Sequence, residues 1–63
     1  MNQNLEALEE EATRATALLR NRVVQYVWRH RDGELVIQFT DGTSLFANAL
    51  NGGLELSITG TPE

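Results

Sequence analysis

Two periods alternate along this chain. From Leu5 onward apolar residues return every three or four positions, at Leu5, Leu8, Ala12, Ala15 and Leu19, with Leu18 alongside. That is the stripe of an amphipathic helix. The spacing predicts a helix over residues 4–21. Asn2 or Asn4 is placed to cap its free amides, and Asn21, tolerant of the left-handed conformation, to stop it. Glutamates gather toward its start and Arg20 and Arg22 toward its end, as the helix dipole favours. The same three-four spacing is that of a and d positions, so the stripe also suits a second helix. Ala12 and Ala15 keep its middle slim enough for close approach.

After Asn21 the period falls to two. Val23–His30 is β-branched and aromatic, as suits a half-buried strand, and strict alternation sets Val24, Tyr26, Trp28 and His30 on one face. Asp32-Gly33 and Asp41-Gly42 read as two-residue hairpin turns. They predict Trp28 opposite Ile37, Tyr26 opposite Phe39, Arg31 opposite Glu34 and Ile37 opposite Phe46. Asn51-Gly52-Gly53, read as a three-residue loop, pairs Leu50 with Leu54 and Phe46 with Ile58. On this register Tyr26, Trp28, Ile37, Phe39 and Phe46 form one apolar face, and Trp28→Ala is expected to cost about 3–5 kcal/mol as a core truncation. Val27, Arg29, Val36 and Leu45 fall on the reverse. Gly60 to Glu63 reads as a frayed tail.

The predicted fold is α+β, a single domain over residues 1–63: an N-terminal amphipathic helix packed on one face of a four-stranded antiparallel β-meander. A helix of 18 residues is about 27 Å long and six-residue strands about 20 Å, so the helix overhangs the sheet by about a turn.

Composition then narrows the function. Sixty-three residues bury little core, and the usual supports for so short a chain are disulfides, metals or association. There is no cysteine and one histidine, which leaves association or unusually good packing. No apolar run is long enough for a membrane span. The N-terminus lacks the layout of a secretory signal, so a cytoplasmic location is expected. Five arginines against nine acidic residues give a net charge of −4, which works against nucleic acid and anionic membrane.

Candidate chemistry changes this little. His30, Asp32 and Glu34 are close in sequence, but alternation sets Glu34 opposite His30 and leaves Asp32 in a turn. Ser44 and Ser57 have no relay partner, and Asn51-Gly52-Gly53 precedes a strand rather than a helix, unlike a phosphate loop. No catalytic, cofactor or metal site is expected. The run from Tyr26 to Arg31 interleaves aromatic and basic residues, as single-strand nucleic-acid platforms do, although the register above assigns its aromatics to the core. The expected function is therefore a small non-enzymatic interaction or regulatory domain that self-associates as a dimer or higher, with another protein as a further partner. The alternative is a nucleic-acid-binding module using the Arg14–Arg31 band. The candidate interface is Leu5, Leu8, Ala12, Ala15, Leu18, Val27, Arg29, Arg31, Val36 and Leu45.

Overall fold

The structure, a computed structural model, describes residues 2–60, with side chains from residue 5 onward. One helix, α1 (Asn2–Leu19), is followed by β1 (Val24–Trp28), β2 (Glu34–Phe39), β3 (Ser44–Leu50) and β4 (Gly53–Thr59). The strands form one antiparallel sheet in the order β1-β2-β3-β4. The α+β meander expected from the sequence is thus the observed fold. Asn4 lies within α1 rather than at its cap, and the end of the expected tail, residues 61–63, lies outside the described residues.

Helix α1 ends at Leu19, two residues before the expected bound, and Asn21 is its terminator as expected. Asn21 takes a positive φ of 66°, which turns the chain out of the helix. Arg22 then fastens the exit. Its Nε donates to the Leu18 carbonyl, one of the helix-end acceptors that the helix itself leaves without a donor. Its guanidinium also pairs with Asp41 in the β2–β3 turn. The Thr40 amide donates to the Val23 carbonyl at 2.8 Å. These contacts tie the end of α1 to one end of the sheet.

The strand register differs from the expected one at every turn, each time by one residue. Between β2 and β3 the loop has three residues, Thr40, Asp41 and Gly42. The Phe39 amide donates to the Thr43 carbonyl at 2.8 Å, and Gly42 sits at φ 93°. This is a turn closed by a glycine bulge, the other hairpin an Asp-Gly sequence can make. The Asp41 carboxylate supports it by accepting the Thr43 amide at 2.9 Å. Between β1 and β2, Gly33 has no positive φ and instead prolongs β2, its carbonyl accepting the Ala49 amide at 2.8 Å. A Cβ at Gly33 would stand 3.2 Å from the Ala49 Cβ, so glycine serves close approach there rather than a turn. Between β3 and β4 it is Asn51 and Gly52, at φ 53° and 80°, that form the two-residue turn with both residues left-handed.

A slip of one residue moves a whole strand's side chains to the other face. The observed pairs are Trp28 with Val36, Ile37 with Leu45, Val36 with Phe46 and Leu45 with Ile58. A bulge at Gln25 also breaks the alternation of β1, so Val24 points one way while Tyr26 and Trp28 point the other. One face therefore carries Val24, Val27, Leu35, Ile37, Phe39, Leu45, Ala47, Leu54, Leu56 and Ile58. The other carries Tyr26, Trp28, Val36 and Phe46 among Glu34, Gln38, Ser44, Asn48, Glu55, Ser57 and Thr59.

Three sequence expectations are corrected by this register. Tyr26, Trp28 and Phe46 do not share a face with Ile37 and Phe39. Val27 and Leu45 lie on the apolar side, not its reverse. Val36, expected at an interface, is only 3% exposed, covered between its cross-strand neighbours Trp28 and Phe46.

The second half of α1 lies over the apolar face. Glu11, Arg14, Ala15 and Leu18 border a groove of about 240 Å³ whose floor is Leu56 and Ile58 of β4. The hollows along the first half of the helix are bordered by helix residues alone, and Leu5 and Leu8 are 57% and 58% exposed. The overhang expected from the lengths is present, and the longest dimension of the molecule is 38 Å.

Candidate interaction surfaces

The core is thin. Among the described residues Val36, Phe39 and Ala47 are the buried apolar side chains, whereas Leu5, Leu8, Val23, Val24, Tyr26, Val27, Trp28, Leu50 and Leu54 are exposed. Single exposed apolar residues are ordinary, but contiguous ones mark a contact surface. Five of the nine, with less exposed neighbours, fall into three groups.

The first is the helix stripe of Leu5, Leu8 and Ala12, open to solvent along the overhanging half of α1. The second is the end of the apolar sheet face that α1 does not reach. There Leu35, Ala47, Ala49 and Leu54 line a shallow hollow of about 300 Å³ with Arg29 at its margin. The third is an aromatic row on the opposite face.

That row has a geometry that limits its chemistry. The rings of Tyr26 and Trp28 lie 17° from parallel with centroids 5.2 Å apart. Two rings lying side by side in one plane cannot approach so closely, so these are offset-stacked, the arrangement aromatic quadrupoles favour. His30 continues the row, 6.2 Å beyond Trp28 at 29°. Trp28 thus has a ring on either side, so its own faces are flanked rather than free. A nucleobase stacks on a free face; an exposed aromatic row beside Gln38, Ser44 and Asn48 suits the mixed polar and aromatic surface of a protein contact.

Because Trp28 is 40% exposed, Trp28→Ala is expected to cost only about 1–2 kcal/mol, the scale of a lost stacked pair plus partial burial. The variant should keep a cooperative thermal transition. A loss of folding would return Trp28 to the core.

The charged residues expected to act together are dispersed. Arg22 is held by Asp41, and Arg31 lies 3.5 Å from Glu34. The Arg31–Glu34 pairing was expected across a hairpin and instead closes the turn as an i,i+3 contact, where the Glu34 amide also donates to the Arg31 carbonyl. Arg29 donates to the Asp32 carbonyl. Arg14 is on α1 at the sheet-side groove, and Arg20 is exposed just past the end of the helix. Two members of the Arg14–Arg31 band are therefore paired with carboxylates; of the others, Arg14 is on α1, Arg20 just past its end and Arg29 just past β1. No group of histidine and carboxylate side chains able to hold a metal occurs among the described residues, so His30, Asp32 and Glu34 do not converge. No helix is long and apolar enough to cross a membrane.

The Asp41 carboxyl is held below its ordinary value of 3.8, first by the hydrogen bond from the Thr43 amide and further by the Arg22 guanidinium. A carboxyl more acidic in the folded chain than in the unfolded one stabilises the fold above its unfolded value. That contribution is lost as pH falls through the folded value. Thermal melts are therefore expected to weaken below about pH 4, and Asp41→Asn to flatten that part of the profile. An unchanged acid limb in the variant would remove Asp41 from the explanation.

Comparison of the chain with protein-family models, curated proteins and solved structures returns no match.

Proposed function

We propose that this chain is a small non-enzymatic interaction domain that works as a homo-oligomer, dimer or higher, and offers its aromatic face to another protein in the cytoplasm. The observation that supports this reading is the imbalance between three buried apolar side chains and nine large exposed ones among the described residues. A core so small supplies little of the stability a 63-residue domain needs, and association is the remaining source. Five of the nine are also grouped as an interface groups them, on the helix stripe, one sheet end and the aromatic row.

The nucleic-acid reading gains from the exposure of Tyr26 and Trp28 beside Arg29 and Arg31. It loses more from the stacking that covers the faces of Trp28, from the pairing of Arg22 and Arg31, and from the net charge of −4.

Thermal melts over a hundredfold range of concentration test the oligomer. Folding coupled to association makes the midpoint rise with concentration; a midpoint that stays fixed would count against it. Titration with single-stranded and duplex oligonucleotides at two salt concentrations tests the alternative. Salt-sensitive binding tighter than about 100 μM would favour it.

A further inference from the structure

We infer that two copies associate edge to edge, their β4 strands pairing antiparallel about a two-fold axis at Leu56 to make one continuous sheet. The inference rests on the self-association reading above and names its surface.

Backbone groups of β3 alternate between its two neighbours. The Thr43 carbonyl accepts from the Phe39 amide, and the Ala49 amide donates to the Gly33 carbonyl. Odd-numbered β3 positions therefore turn to β2 and even-numbered ones to β4. The β4 partners of the even positions, Gly53, Glu55, Ser57 and Thr59, turn back to β3. Leu54, Leu56 and Ile58 are left to direct their amides and carbonyls out of the sheet, and no hydrogen bond reaches them among the described residues. A regular open edge of this kind is a template for another strand. β4 lacks the usual protection, since it holds no proline, no basic residue and no bulge. The other edge is protected. The bulge at Gln25 spaces the outward groups of β1 three residues apart, at Val24 and Val27, and Arg22 and Arg29 flank the strand.

The order of residues in β4 suits a second β4. With the axis at Leu56, the hydrogen-bonded pairs are Leu54 with Ile58, Leu56 with Leu56 and Ile58 with Leu54, apolar against apolar on the side that carries α1. Glu55, the one charge of the strand, stands on the polar side opposite Ser57 of the other copy. Sliding the pairing by two residues either way loses one of these hydrogen-bonded pairs. Sliding it toward Gly53 also sets Glu55 against Glu55, a destabilising like-charge pair.

Helix α1 points to the same partner. Its C-terminal end is held beside the start of β1 and the β2–β3 turn. Its second half borders Leu56 and Ile58, and the hollows along its first half are bordered by helix residues alone. The helix thus crosses from β1 toward β4, and its overhang runs past the open edge. A two-fold axis perpendicular to the sheet keeps both helices on the same side. Each overhang then lies above the neighbour's sheet, whose end at Leu35, Ala47, Ala49 and Leu54 its own helix leaves uncovered. The same patch serves both copies, as closed dimers require.

In this register Glu55 and Ser57 form a non-hydrogen-bonded pair, the closest approach across antiparallel strands and within the about 7 Å between Cα atoms that a disulfide spans. The chain has no cysteine, so introduced cysteines report the pairing without background. Under mild oxidation an equimolar mixture of Glu55→Cys and Ser57→Cys is expected to link into covalent heterodimers. Each variant alone should stay largely unlinked, because the axis sets equal positions two residues out of step. Ser57→Glu places a like charge opposite Glu55 at both symmetric sites and should weaken the dimer by roughly two- to thirtyfold, whereas Ser57→Lys should not weaken it. Ready linkage of Glu55→Cys with itself would move the axis to Glu55 and overturn the inference. Failure of the mixture to link while the unmodified chain still sediments as an oligomer would overturn it too, leaving the self-association reading intact. A monomeric unmodified chain would overturn both.

Discussion

Replacing Phe39 by alanine is expected to unfold the domain. Phe39 is 6% exposed, pairs with Val24 across the sheet, and stands at the end of β2 where the turn begins. Truncating a buried phenylalanine costs about 3–5 kcal/mol. The whole stability of a domain this size is about 3–9 kcal/mol. With Val36 and Ala47 as the other buried apolar side chains described, few neighbours can close the space left behind. Circular dichroism should show the cooperative transition lost or moved below room temperature. Trp28→Ala, although it removes a larger side chain, should be much milder. A result in which the two variants exchange places would restore the aromatic face as the core.

The second large effect falls on assembly rather than on the fold. Leu5→Gln together with Leu8→Gln keeps good helix formers at both positions and touches no residue that borders the sheet groove. Across a two-fold interface the change removes four leucines. Each is worth about 1.5–3 kcal/mol if wholly buried. Half of that still weakens the dimer by roughly two to four powers of ten. The double variant should behave as a monomer by light scattering, and its melting midpoint should no longer depend on concentration. An unchanged oligomer would exclude the overhanging helix from the interface.

How much of this was legible in the sequence varies with the kind of signal. The helix, its stop at Asn21, the four strands and the Arg31–Glu34 pairing all follow from local chemistry, and the structure contains them. The pairing register does not, because an Asp-Gly sequence is compatible with more than one turn. At Asp41-Gly42 the carboxylate captured the Thr43 amide and the glycine became a bulge. At Asp32-Gly33 the glycine was drawn into the ladder by Ala49.

A different signal pointed to the observed register. Leu35, Ile37 and Phe39, then Leu45, Ala47 and Ala49, then Leu54, Leu56 and Ile58 each recur at every second position, although Val36 and Phe46 between them are apolar too. The observed pairs Ile37–Leu45 and Leu45–Ile58 set those three rows on one face. At the two Asp-Gly turns strand period was the better guide than turn type, because a buried face penalises every misplaced residue while a turn constrains only two or three; at Asn51-Gly52 the two-residue turn type is the one observed.

The candidate surfaces show the same division. Leu5, Leu8 and Ala12 were recognisable from helical spacing alone, and they remain exposed in the folded chain. The roles of Val27, Val36 and Leu45 depended on register and changed with it. The aromatic row of Tyr26, Trp28 and His30 was visible as a motif, but its exposure followed only from the one-residue slip and the bulge at Gln25.

Sedimentation equilibrium of the unmodified chain over a concentration series near neutral pH bears most directly on self-association as the completion of this core. A species of at least twice the chain mass of 7.0 kDa is expected to dominate at the higher concentrations. A folded species that remains at 7.0 kDa throughout, with a melting midpoint independent of concentration, would contradict it.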